Sequence, residues 1–317
     1  MIKNKIVFFN IIDIFLIFNI ILLFYITQKI YTPSVILIPK ANINKIISYL
    51  NNKQYDINIA DSFLLRILGV PQNGWIDLKK NNMSKIDFLY KLTTSKAALK
   101  LITLIPGETY YFFLDKLTSN LALSKEKLTF YYNKLSYKKD GNILAESYNI
   151  PIGMNEKQVI SYLFNYTNKE YQKLSKKIFG NYNKKKWFYY ITIASIIQKE
   201  AANKKEMPIV SSVIYNRIKN NMKLQMDGTL NYGKYSNIKI TPKRIKEDIS
   251  NYNTYKILGI PNNPISSVSL ETIKYAIFPA KTKYLYFVKK GNGHIFSTTY
   301  KKHLDHINNI KLTKGIK

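Results

Sequence analysis

Cysteine is absent from this 317-residue chain, which excludes disulfide scaffolds, zinc ribbons, thiolate nucleophiles and lipid-modified cysteines together. Histidine is scarce as well: His294, His303 and His306 leave little from which to build a catalytic metal centre. Acidic residues number 19 against 49 basic ones, a formal charge of +30. Arginine contributes little to that excess, since only Arg66, Arg217 and Arg244 are present and the rest is lysine. Arginine is the side chain that reads bases and clamps phosphates in a bidentate fork. The surplus therefore describes a solvated lysine surface, and no nucleic-acid partner is expected. An apolar fraction of 46% argues against a wholly disordered chain, and the length suits one large or two modest domains.

Small residues are missing from the start of the chain: the first alanine is Ala41 and the first glycine Gly69. A cleavable signal needs small residues near its end, so no cleavage is expected. Residues 6–26, IVFFNIIDIFLIFNIILLFYI, are almost wholly apolar. At about 1.5 Å per residue they span a bilayer core of about 30 Å. Asn10, Asp13 and Asn19 interrupt the run, and one mid-membrane charge costs roughly 2.5–3.5 kcal/mol. The surrounding Ile, Leu and Phe outweigh it. The expectation is a single uncleaved transmembrane helix over 6–26, with a buried core helix as the alternative. Lys3 and Lys5 would hold residues 1–5 in the cytoplasm, leaving the remainder outside it, periplasmic in a Gram-negative cell.

Beyond the span, Tyr31–Ser34 reads as a linker and Val35–Pro39 as a short apolar run. Helical patterns follow over Ile43–Leu50 and Ile57–Leu68, then a returning strand at Trp75–Leu78, a β-α-α-β order. Ser84 is placed to cap a helix carrying Phe88, Leu89 and Leu92. A strand is expected over Leu99–Ile105, helices from Tyr110, from Ser124 and over 155–178, and a loop over Asn181–Lys186. The fold class is α+β.

Trp187 to Glu200, WFYYITIASIIQKE, is a strongly apolar helix. Ile193, Ile196 and Ile197 lie at helical spacing before Glu200, so its carboxyl continues the buried face. Burial disfavours the charged form and suits such a group to general acid work near neutral pH. An ordinary pair with Lys204, four residues on, is the alternative. Pro208 then opens a second helix, Ile209–Asn220, on which Asn216 and Arg217 suit structural and ligand-contact roles equally. The loop Leu224–Gly233 gathers Gln225, Asp227, Thr229 and Tyr232, a polar set suited to sugar hydroxyls, and Tyr252–Tyr255 adds amides and rings. His303 and His306 stand three apart without a third ligand, and surface positions are expected for both. No metal or cofactor is expected.

The order of motifs resembles that of the YceG-like endolytic murein transglycosylases. It is carried by ASIIQKE at 194–200, SSVIYNRIKNNMKLQMDGTLNYG at 211–233, YNTY at 252–255 and GIPNNPIS at 259–266. FPAKTKYLYFV at 278–288, GHIFSTT at 293–299 and His303 complete it. The resemblance is close over 187–306 and looser upstream, where Glu146-Ser147-Tyr148 stands for an Asp-Thr-Tyr. Two departures are local: Gln198-Lys199-Glu200-Ala201 stands for EKET, and Gly228 replaces a proline in QTDPT.

The resemblance implies a transmembrane helix, a LysM-like module over 33–96 and a mixed helical and β catalytic domain over 97–317, its core 187–306. It implies cleavage of the MurNAc-β-1,4-GlcNAc bond to leave 1,6-anhydro ends, limiting glycan strand length during cell-wall synthesis. Glu200 would act as general acid and then base. Asn216, Gln225, Asp227, Tyr232, Asn253 and Tyr255 are the expected substrate contacts, and His294 a structural or cleft-lining residue. Implied partners are peptidoglycan glycan strands, the cytoplasmic membrane and peptidoglycan synthases. Water-dependent cleavage by Glu200 with Asp227, and a non-catalytic murein-binding scaffold, stay open. Only Glu200, Glu206, Asp227, Glu247, Asp248 and Glu271 supply carboxylates between 187 and 300.

Overall fold

The computed structural model describes residues 2–313, with side chains from residue 10 onward. It opens with helix α1 (Ile2–Thr27), within which Asn10–Thr27 has a mean hydropathy of 2.2 and no buried residues. Asn19 and Thr27 turn their polar groups back onto the helix carbonyls of Phe15 and Leu23, at 2.7 Å each. Length, composition and exposure make this helix able to cross a membrane.

Two compact units follow from the packing: one comprises residues up to 100 with 150–153, the other 101–149 with 154 onward. In the first, β1 (Lys29–Tyr31), β2 (Val35–Ile38), α2 (Ile43–Asn52), α3 (Ile59–Leu68), β3 (Gly74–Asp77), β4 (Asn82–Ser84) and α4 (Lys85–Thr94) follow in order. β2 pairs antiparallel with β3, and β1 with β4. The expected linker at Tyr31 is thus partly strand, because a three-residue edge leaves no periodicity in the sequence. Asn58 and Asp61 close a capping box on α3, and Ser84 caps α4. Ile36, Ile38, Ile46, Leu50, Leu65, Ile76 and Phe88 form this unit's core.

The same unit holds a fully buried ion pair. Lys85 Nζ stands 3.9 Å from Asp61 Oδ2, and both side chains are sealed from solvent. The same ammonium sits 4.0 Å above the Tyr25 ring at the end of α1. Asp61 Oδ2 also accepts the Asn58 N–H at 2.7 Å.

The second unit contains α5 (Tyr110–Leu121), α6 (Lys125–Leu135), α7 (Glu156–Phe179), α8 (Lys184–Glu200), α9 (Met207–Lys219), α10 (Pro242–Glu247), α11 (Leu270–Ile277) and α12 (Tyr300–Thr313). The strands β5 (Leu99–Thr103) and β6 (Ser147–Pro151) pair, as do β7 (Tyr286–Lys290) and β8 (Gly293–Ser297). Asn183 accepts the Lys186 N–H and starts α8 three residues before Trp187, inside the expected loop. α8 is the axis of the core: Trp187, Ile191, Ile193, Ile196 and Ile197 are buried against Val210, Val213 and Ile214 of α9 and Ile273 of α11. Mixed helix and strand architecture is as expected, and β3 and β5 stand where strands are expected; the three-residue strands β1 and β4 and helix α11 leave no signal in the sequence.

Removing one partner of a sealed ion pair strands the other charge, at a cost of about 3–5 kcal/mol. Lys85→Met should therefore lower the stability of the first unit by that order, measured by denaturant titration in detergent. A loss below about 1 kcal/mol would show that Asp61 is not left as an uncompensated buried charge.

Candidate active site

Helix α8 delivers Glu200 as its last residue, at the mouth of a cavity of about 340 Å³. The volume lies at the small end of ligand clefts, which run from about 300 to 1,000 Å³. Glu200, Arg217, Gln225, Asp227, Tyr255, Tyr286 and His303 are among the residues that line it. Glu200 is half-buried and lines the cavity. Desolvation is the main cause that pushes this carboxyl up to about 7. Nearby Asp227 pushes the same way; the Gly228 N–H and the charge of Arg217 oppose. The pair with Lys204 does not form, because that ammonium reaches Glu271 at 2.8 Å.

Glu200 is gripped by one backbone group. Gly228 N–H donates to its Oε1 at 2.7 Å. A Cβ at 228 would meet that same oxygen at 2.8 Å and Lys199 Cβ at 2.8 Å, so the approach needs glycine. Proline there would lack the N–H altogether. The glycine that departs from the resemblance is thus the residue that holds the carboxyl.

The turn carrying Gly228 is buttressed from 252–255. Thr254 carbonyl accepts Gln225 N–H at 3.1 Å, and Thr254 Oγ1 accepts Met226 N–H at 3.1 Å. Buried Thr229 bonds Thr254 Oγ1 at 3.0 Å and Met226 O at 2.7 Å. This clamp holds Gln225 in the left-handed region, φ 48°, which a non-glycine residue rarely adopts. Tyr255 donates its hydroxyl to Asp227 Oδ1 at 2.7 Å. Burial first, and that carboxylate second, raise the Tyr255 phenol.

Three of the expected contacts, Gln225, Asp227 and Tyr255, therefore gather with Glu200; three do not. Asn216 spends its amide on the carbonyls of Thr282 and Tyr284, at 3.0 and 2.9 Å. Asn253 is sealed, donating to Ile245 O and Asp248 O. Tyr232 stacks on Tyr252, centroids 3.9 Å apart, and lines a separate cavity of about 200 Å³ with Tyr110 and Asp140. Burial raises the Asp140 carboxyl to about 7 against the N–H groups of Gly141 and Tyr110.

Arg217 enters the cavity wall, although sequence reasoning left it undecided. Its guanidinium is fixed by Leu285 O at 2.6 Å, Lys223 O at 3.2 Å and Leu224 O at 2.6 Å. His303 also lines the cavity, contrary to the surface position expected for it; α12 turns Tyr300 and His303 to one face. His294 is structural: its N–H and Nδ1 meet the two oxygens of Glu206, each at 2.8 Å.

The YceG-like family model matches residues 35–309. The chain belongs to the YceG-like family. A Bacillus subtilis (strain 168) protein named endolytic murein transglycosylase is 40% identical over 116 residues, 36% of this chain and 32% of that protein. A Streptococcus pneumoniae (serotype 2, strain D39) protein of the same name is 37% identical over 103 residues, 31% of this chain and 19% of that one. These matches span a third or less of the relatives' own length. The crystal structure of a YceG-like protein from Listeria monocytogenes covers 88% of this chain and 99% of its own, with a TM-score of 0.55 and 24% identity. That likeness concerns the fold of the YceG-like chain.

A carboxyl held at about 7 when folded binds its proton more tightly than in the unfolded chain. Its contribution to stability is thus fully present below the ordinary value of about 4.5 and declines as pH rises through 7. Glu200→Gln removes this dependence. Relative to the parent, the variant should gain on the order of 2–3 kcal/mol between pH 4.5 and 8, read from denaturation at each pH. Asp140 is common to both chains and cancels.

Proposed function

We propose that this chain is a membrane-anchored endolytic peptidoglycan transglycosylase, with Glu200 as its acid and then its base. The observation that carries the reading is a carboxyl raised to about 7 beside an open cavity and gripped by a single backbone N–H. Relatives bearing the name endolytic murein transglycosylase support the substrate class. The span over 6–26 would anchor the chain with residues 1–5 cytoplasmic. Residues 33–96 would be a LysM-like glycan-binding module and 97–317 the catalytic domain, with peptidoglycan synthases as partners in strand-length control.

Near neutral pH a substantial fraction of Glu200 carries the proton that a general acid must donate. Transfer to the bridging oxygen breaks the bond to MurNAc C1 and leaves an oxocarbenium-like sugar. The new carboxylate is met by the Gly228 N–H and the Arg217 charge, both favouring its anionic form. It then accepts the proton of the same sugar's C6 hydroxyl as that oxygen closes on C1. The product is a 1,6-anhydro end, water is not consumed, and Glu200 is protonated again. One carboxyl performs both steps, unlike the paired carboxylates of ordinary glycosidases. Asp227 already accepts from Tyr255, which supports a positioning role for it over activation of water.

The full chain in detergent should release anhydro-ended fragments from isolated murein, identified by mass. Glu200→Gln should lose that release by at least about a thousandfold, and the parent's kcat/KM should fall about tenfold per pH unit above 7. Reducing ends lost in Asp227→Asn would establish hydrolysis instead, and bound but uncut glycan would establish a scaffold. Gly228→Ala, which displaces Glu200, should lower kcat by roughly 10- to 100-fold with KM little changed. Wild-type kcat in that variant would refute the role of the grip.

A further inference from the structure

His303 differs from the other polar side chains of the cavity wall in having a buried ring atom with no hydrogen-bond partner among the described residues. Its Nδ1 is sealed from solvent without a partner. Leaving such an atom unpaired costs about 1–3 kcal/mol, and native structures keep few of them without a reason. The ring lies against Tyr286, centroids 5.3 Å apart at 23°, and Tyr300 flanks it at 6.4 Å. Tyr286 in turn carries the Arg217 guanidinium at 5.1 Å from its ring centre. A phenyl group would make the same stack without the unpaired nitrogen, so the imidazole gives the fold nothing that it needs.

Three carbonyls fix Arg217 in this wall, and Tyr286 stacks between it and His303. We propose that His303 is a substrate-contact residue of the Glu200 cavity, hydrogen-bonding through Nε2 to a hydroxyl or acetamido group of an N-acetylated sugar. The inference rests on the glycan reading of the site and adds a contact to the six expected from the sequence. Burial, then the charges of Arg217 and His306, push the imidazole below its ordinary value, so it is neutral at physiological pH. A neutral ring offers one donor and one acceptor. No protein group among the described residues selects its tautomer. An acetamido carbonyl would draw the proton to Nε2, and a sugar hydroxyl would leave Nε2 free to accept.

The full chain carrying Glu200→Gln, in detergent, serves as a non-cleaving parent for binding of peptide-free murein oligosaccharides by calorimetry. Adding His303→Phe should weaken Kd about tenfold while Tm stays level or rises, because a contact is lost and an unpaired nitrogen removed. Adding His303→Gln, whose amide reaches the Nε2 position, should retain Kd within about threefold of the parent. Unchanged affinity in His303→Phe overturns the inference, as does a fall in its Tm, which would mark packing as the role. His303→Gln binding as weakly as His303→Phe overturns it too. If the Glu200→Gln parent binds no glycan, the proposed function falls and the inference with it; normal binding by His303→Phe sinks the inference alone.

Discussion

The desolvation of one carboxyl group is the constraint around which the second unit is arranged. Taking a carboxylate from water is costly unless it stays protonated or is met by donors. Glu200 stands at the end of an apolar helix, where the unpaired carbonyls of the last turn add to the penalty on negative charge. One N–H, from Gly228, offsets part of it. That is enough to position the group and too little to make it an ordinary surface acid. The side-chain-free approach of Gly228, the left-handed Gln225 and the Thr254–Thr229 clamp serve this single contact.

Asp227 and Arg217 act on Glu200 in opposite senses, and each is held by partners other than Glu200. Arg217 is bound to carbonyls and not to either carboxylate, so its charge is a fixed background. Asp227 is tied to the Tyr255 hydroxyl. Neither group has to reorganise when Glu200 changes charge, and preorganised dipoles of this kind stabilise developing charge at low cost. Burial first, and the charge of the same fixed Arg217 second, push the neighbouring imidazole below its ordinary value.

Local chemistry was legible where it depended on one helix or one loop. The apolar spacing before Glu200, the Pro208 start of α9 and the Ser84, Ser124 and Asn155 caps are all properties of adjacent residues, and each element stands where those properties place it. Roles set by distant partners were not legible. Asn216 looked as able to touch a sugar as to hold residues 282–284, because the carbonyls it serves are more than sixty positions away. Asn253 and Tyr232 belong to the same polar motifs as Tyr255 and Gln225, yet packing turns them elsewhere. Thr254 carried no signal of its own; only its burial between two segments reveals the clamp. His303 was misjudged because helical spacing alone does not say which face meets β7.

The lysine excess has a sharper meaning once the cavity is known. No lysine is among the residues that line it, although lysine is the dominant charged side chain of the protein. An ammonium about 4 Å from Glu200 would favour the carboxylate by about 4 kcal/mol at an effective dielectric of 20. That is roughly three pK units, which would return a carboxyl near 7 to the ordinary carboxylate range and leave it without a proton to give at neutral pH. Lys199, next in sequence, avoids this by turning to Ser236, at 2.6 Å from its hydroxyl, and its charge is felt at Asp140. Arg217 can be tolerated in the wall because its charge is shared among carbonyls that point at it. The lining sets tyrosine, phenylalanine and an imidazole beside Arg217 and Asp227 and holds no lysine, so the cationic surface leaves the Glu200 carboxyl near 7.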